Sequence, residues 1–116
     1  MSWYKISQIE TETMQEMFKG QDLSGLCVTC AVKMAFKIDG EYVEGIVMGG
    51  QPRRRILHAW AEKNETVYDP TLDIVMPKAK WESVMQPEEL YRINGEAAMI
   101  KSIKTGSFEF VSQPEG

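Results

Sequence analysis

Residues 26–37 read LCVTCAVKMAFK, a stretch that is apolar on almost every side. A helix with one apolar stripe can lie on a surface, but a helix apolar all round must be enclosed. This segment therefore dictates that the rest of the chain supply cover on more than one side. Ser24 offers a capping hydroxyl before it and Gly40 stands just past its end, so the segment reads as a buried helix from about Leu26 to Lys37.

The pattern changes after Gly40. EYVEGIVM (41–48), RRILHAWAEK (54–63), TVYD (66–69) and LDIVM (72–76) carry β-branched and aromatic residues between turn signals, as strands do. Pro77 is placed to open a helix through KAKWESVM. Pro87 reads the same way before EELYRI, as a short helical turn. GEAAMIKSIKTG reads as a further helix, FEFV as a last strand, and SQPEG as a loose polar tail. Upstream, WYKISQI reads as a short strand or extended arm. Thr13 and Glu16 then have capping-box spacing at the start of a short helix that Gly20 ends. The order predicts an α+β fold: a buried helix near the N-terminus packed on an antiparallel sheet, with additional helices toward the C-terminus. Its 116 residues fit one domain, 1–116.

A net charge of −4 gives a general nucleic-acid-binding role no electrostatic support. No apolar run approaches the roughly 18 to 20 residues that span a bilayer, so no membrane partner is expected. MSWYKISQIE has no apolar core of a signal peptide, which points to the cytosol. In a reducing compartment Cys27 and Cys30 are not expected to form a structural disulfide.

The chain has one histidine, His58, and an aspartate follows eleven residues later at Asp69. A two-residue turn at Asn64-Glu65 would set Lys63 opposite Thr66, and counting back sets Trp60 opposite Asp69 and His58 opposite Thr71. Opposed residues share a face, as do residues two apart on one strand. His58 and Asp69 then lie diagonally on one face, roughly 7 to 8 Å apart by backbone and within side-chain reach. A three-residue loop would put Asp69 on the wrong face. The bland alternative is a core or surface histidine and an aspartate that starts a turn before Pro70.

Cys27 falls in the first turn of the buried helix, where partial positive charge favours a thiolate. Its own N–H would be among the unpaired donors there, available to an oxyanion. Cys30 is one turn deeper and rotated by about 300°. Its N–H is expected to be used within the helix, and the residue reads as a small buried hydrophobe. Gln21, six residues before Cys27, offers a side-chain amide as a second oxyanion donor, or is simply an exposed loop glutamine. Trp60 shares the His58 face, as a wall against water or as core. Tyr42, Trp81 and Tyr91 read as core or cleft wall.

HAWAE followed by DPT resembles the His and Asp segments of the transglutaminase-like cysteine proteins, a branch of the papain-like superfamily. In that family a Cys heads a buried helix, and the His and Asp come from successive later strands. The order Cys27, His58, Asp69 matches, and YVEG (42–45) resembles the strand between the Cys helix and the His strand in small bacterial and phage members. The Gln21-to-Cys27 spacing resembles that of the oxyanion glutamine in papain-like proteases. The resemblance covers residues 21–72. Leu26 and Val28 stand where the family often has an aromatic beside its Cys. Alignment on the papain pattern CGSCW would nominate Cys30 as the nucleophile instead.

What the resemblance implies is acyl-transfer chemistry on an amide of a peptide or protein substrate. Cys27 would attack, His58 would move the proton, and Asp69 would hold His58. Cys27 N–H and Gln21 would stabilise the oxyanion. Water would complete a hydrolase and an amine a transferase, and no cofactor or metal is implied.

Rival readings are a redox CVTC motif, a metal site of Cys27, Cys30, His58 and Asp69, and an inactive papain-like module that binds a protein partner. The redox motif should follow a strand, whereas GQDLSGL is polar. The metal reading lacks a second Cys or His pair. The run Arg53-Arg54-Arg55 reads as a solvated turn, or as a selector of acidic substrates if it flanks a cleft.

Overall fold

The computed structural model describes residues 3–112. Among these residues four helices and five strands follow in the order α1 (Trp3–Phe18), α2 (Cys27–Ile38), β1 (Glu41–Gly49), β2 (Arg54–Lys63), β3 (Thr66–Asp69), β4 (Ile74–Pro77), α3 (Lys78–Met85), β5 (Glu88–Asn94) and α4 (Gly95–Thr105). The strands form one antiparallel sheet in the order β4-β3-β2-β1-β5. The architecture is α+β, as the sequence predicts.

Enclosure of α2 comes from three sides. Ala31, Met34, Ala35 and Ile38 pack on Tyr42, Ala59, Ala61 and Tyr68 of the sheet, with Met14 of α1 and Ala98 of α4 in the same core. The alanines of β2 let the helix lie close to the sheet. On its other flank α4 approaches so closely that a Cβ on Gly95 would stand 2.3 Å from the carbonyl carbon of Ala35. Only glycine fits that crossing.

The opposite face of the sheet has its own core. Val43, Val47, Trp60 and Val67 meet Trp81 and Met85 of α3. Successive side chains of a strand point to opposite faces, so β2 deals Ala59 and Ala61 to the α2 side and His58, Trp60 and Glu62 to the α3 side.

Three expectations are corrected. First, WYKISQI is neither strand nor arm but the first half of α1. Thr13 lies inside that helix, where its hydroxyl donates to the Ile9 carbonyl at 2.9 Å instead of capping. Second, EELYRI is not a helical turn. It is β5, paired with the edge of β1 through Tyr42↔Ile93 and Glu44↔Tyr91. A free strand edge and the apolar alternation of Tyr91 and Ile93 outweigh the helix-opening tendency of Pro87. Third, FEFV forms no strand. Its amides turn instead to a buried carboxylate: Val111 N and Ser112 N donate to Glu44, which also accepts the Tyr42 hydroxyl at 2.5 Å. Of the SQPEG tail, residues 113–116 lie outside the described residues.

Candidate active site

The β2–β3 hairpin sets the site. Asn64 and Glu65 both take left-handed backbone angles, φ 51° and 61°, the pair of values a two-residue hairpin turn demands. Lys63 faces Thr66 and Ala61 faces Tyr68, the register expected from the two-residue turn. His58 and Asp69 accordingly meet on one face, with Nε2 of His58 2.5 Å from Oδ2 of Asp69.

Asp69 is wholly buried, and its second oxygen is also engaged. Thr71 Oγ1 donates to Oδ1 at 2.9 Å and the Leu72 N–H at 3.3 Å. The DPT spacing thus has a local cause: Pro70 turns the chain so that the next hydroxyl and amide fold back onto the carboxylate. Four lone-pair directions are met by three donors, and the carboxylate is locked in position.

β3 ends at Asp69, so the β2 edge from His58 back toward Arg54 has no paired strand on that side among the described residues. A groove of ≈ 500 Å³ runs there. Gln21, Ser24, Cys27, Leu57, His58 and Thr71 are among its walls. Cys27 is half-buried, lines the same groove as His58, and lies close enough to bear on the imidazole's charge. With Nε2 committed to Asp69, Nδ1 is the ring nitrogen left for the thiol.

Electrostatics at His58 are a contest. Burial disfavours the imidazolium, but the hydrogen bond to Asp69, the neighbouring Cys27 and the Asp69 charge outweigh it. The pKa rises from 6.5 to about 9. The ring also faces two indoles nearly in parallel, Trp60 at 6.2 Å and 23° and Trp81 at 6.5 Å and 26° between planes.

The head of α2 is open. Its N-cap, Leu26, makes no side-chain cap. Ser24, the expected cap, instead uses its N–H on Asp22 Oδ1 at 3.0 Å in a local turn. The first intrahelical bond runs from Cys30 N to Leu26 O at 2.9 Å, so Cys30 uses its N–H within the helix as expected. Cys30 is 1% exposed and burial pushes its thiol up to about 11.

Of the expected residues, Cys27, His58 and Asp69 are brought together. Gln21 reaches the same groove, but its Nε2 donates to the Met17 carbonyl at 3.2 Å. The arginine run is partly engaged elsewhere. Arg53 donates to the Val84 carbonyl and Arg55 pairs with Glu88 at 3.3 Å.

Sequence reasoning passed over Glu62, the last letter of HAWAE. It is buried and accepts the Trp60 indole N–H at 2.8 Å. The available signal was the i, i+2, i+4 spacing of His58, Trp60 and Glu62 on one strand face.

Among the described residues no group of three or more His, Cys, Asp or Glu is arranged to hold a metal ion. No described helix is long and apolar enough to cross a membrane. Compared with family models, curated proteins and solved structures, the chain gives no match.

Proposed function

We propose that this chain is a transglutaminase-like cysteine hydrolase or acyl transferase. In this reading it has a papain-like core and acts on amide bonds of peptide or protein substrates. The observation that carries the reading is the single imidazole bound at Nε2 by the buried Asp69, in a groove that Cys27 also lines. A thiol, a base and an orienting carboxylate in that arrangement are what nucleophilic acyl transfer requires.

In the proposed cycle the thiol proton passes first to His58, giving a thiolate–imidazolium pair, and Cys27 Sγ then attacks the carbonyl carbon. The oxyanion is met by the Cys27 N–H at the uncapped helix head. Gln21 would add its second amide hydrogen, the first being held by Met17. Collapse of the tetrahedral adduct expels the amine, which leaves with the proton from His58. The thioester is then attacked by water to give an acid, or by an amine to give a new amide, and the thiol is regenerated. Asp69 stabilises the imidazolium throughout and does not itself take the proton.

The test is the pH dependence of iodoacetamide alkylation in the intact chain and in Cys27→Ser, Cys30→Ser and His58→Ala forms. The proposal expects fast labelling confined to Cys27 and lost in His58→Ala. Two slow thiols indifferent to His58 would overturn it and favour the inactive binding module. Fast labelling at Cys30 would overturn the assignment of the nucleophile.

A further inference from the structure

We infer that Glu62 is a positioning residue for the His58 imidazole, acting through the two indoles that face it. The inference rests on the catalytic reading above for its purpose, but its structural content stands separately.

Asp69 holds His58 at one ring atom. A single hydrogen bond fixes the direction of Nε2 and leaves the pitch of the ring free. The plane is set by what lies against it, and that is Trp60 and Trp81, whose centroids are 5.4 Å apart. The Trp60 indole is not held by packing alone. Oε2 of Glu62 accepts the Trp60 N–H at 2.8 Å. Oε1 takes Arg92 Nη2 at 3.0 Å and Lys78 Nζ at 3.2 Å. Lys78 is the first residue of α3, and Trp81 lies three residues on in the same helix. Trp81 Nε1 is buried with no hydrogen-bond partner, so that ring has no polar tether of its own and sits where α3 places it. One carboxylate therefore grips the first indole directly and the helix of the second at its start.

Two further features fit this role. Glu62 is 6% exposed, and a carboxylate so deeply buried needs the two cations and the indole donor it has. Gly45 stands opposite His58 on β1, and a Cβ there would come within 2.9 Å of the Trp60 ring. The missing side chain leaves the indole room to lie beside the imidazole.

The chain has one histidine, so its ring protons give isolated NMR signals at any fixed pH. Facing indoles shift such protons upfield. Three variants separate the possible roles. Glu62→Ala removes the indole's acceptor. Glu62→Gln keeps an acceptor and removes the charge. Lys78→Met keeps both indoles and cuts the link between Glu62 and the start of α3. The inference expects the upfield shift to shrink most in Glu62→Ala, and by less in Glu62→Gln and Lys78→Met, which loosen only the start of α3. Cys27 alkylation should follow the same order, falling by up to roughly 100-fold where the ring is loosened.

A folded Glu62→Ala protein with lowered Tm but unchanged His58 ring shifts would overturn the inference, since a merely structural carboxylate would behave so. If Glu62→Ala does not fold, Glu62→Gln and Lys78→Met decide: unchanged ring shifts in both overturn it. Should Cys27 prove independent of His58 while the ring shifts still follow Glu62, the catalytic reading fails and the positioning role stands.

Discussion

Cys27 and Cys30 sit one turn apart on the same helix, yet the fold treats them as different chemical species. Cys30 is enclosed and its thiol is driven up to about 11 by burial. Its N–H closes the first turn on Leu26. Cys27 lines the groove at an uncapped helix head, beside the imidazole that Asp69 holds. What separates a filler from a candidate nucleophile here is neither residue type nor neighbouring sequence. It is about 300° of helical rotation and the point at which β3 leaves the edge of β2.

That contrast can be broken from the Cys27 side. His58→Ala should cut the alkylation rate of Cys27 by roughly 10²- to 10⁴-fold, the usual range for a lost general base, and leave Cys30 slow. Rates measured by mass spectrometry on both peptides would show it.

It can also be sharpened through pH. The folded pKa of His58, about 9, lies above its ordinary 6.5. Folding therefore favours the protonated ring. The stabilisation is complete below pH 6.5 and is lost as pH rises through 9, an effect of up to a few kcal/mol. Urea unfolding at pH 6 and at pH 10 should show the loss, and Asp69→Asn should abolish it.

From the Cys30 side the effect is on stability. Cys30→Ser places a hydroxyl in the core and should cost about 1–3 kcal/mol, with Cys27 alkylation unchanged. The smallest effect belongs to a site remote from both thiols. Asn94 caps α4 by accepting from Ala97 N at 2.7 Å, and Asn94→Ala should cost about 1 kcal/mol without altering either thiol's rate. A change in Cys27 reactivity there would mean that the groove reports global stability and not local geometry.

Much of this was legible in the chain because the signals are local. The buried helix follows from unbroken apolarity, and the His58–Asp69 contact follows from counting across a two-residue turn. The parts that were not legible are set by tertiary context. β5 forms because β1 has a free edge, a fact absent from EELYRI itself. Residues 108–111 lose their strand to the Glu44 carboxylate, a partner 67 residues away from Val111. α1 is helical despite an aromatic and β-branched start. Glu62 hid in a familiar string because its role depends on α3 and β5, which bring Lys78 and Arg92 to it. Gln21 shows the converse: sequence spacing brought it to the groove, but a neighbouring carbonyl claimed its amide.

The central claim is that one imidazole is shared by Asp69 and Cys27, and NMR titration of the His58 ring protons tests it most directly. The account predicts a midpoint near 9 that falls to 6.5 or below in Asp69→Asn, where burial is left with less to oppose it. A midpoint at or below 6.5 in the intact chain, indifferent to Asp69→Asn, would contradict it.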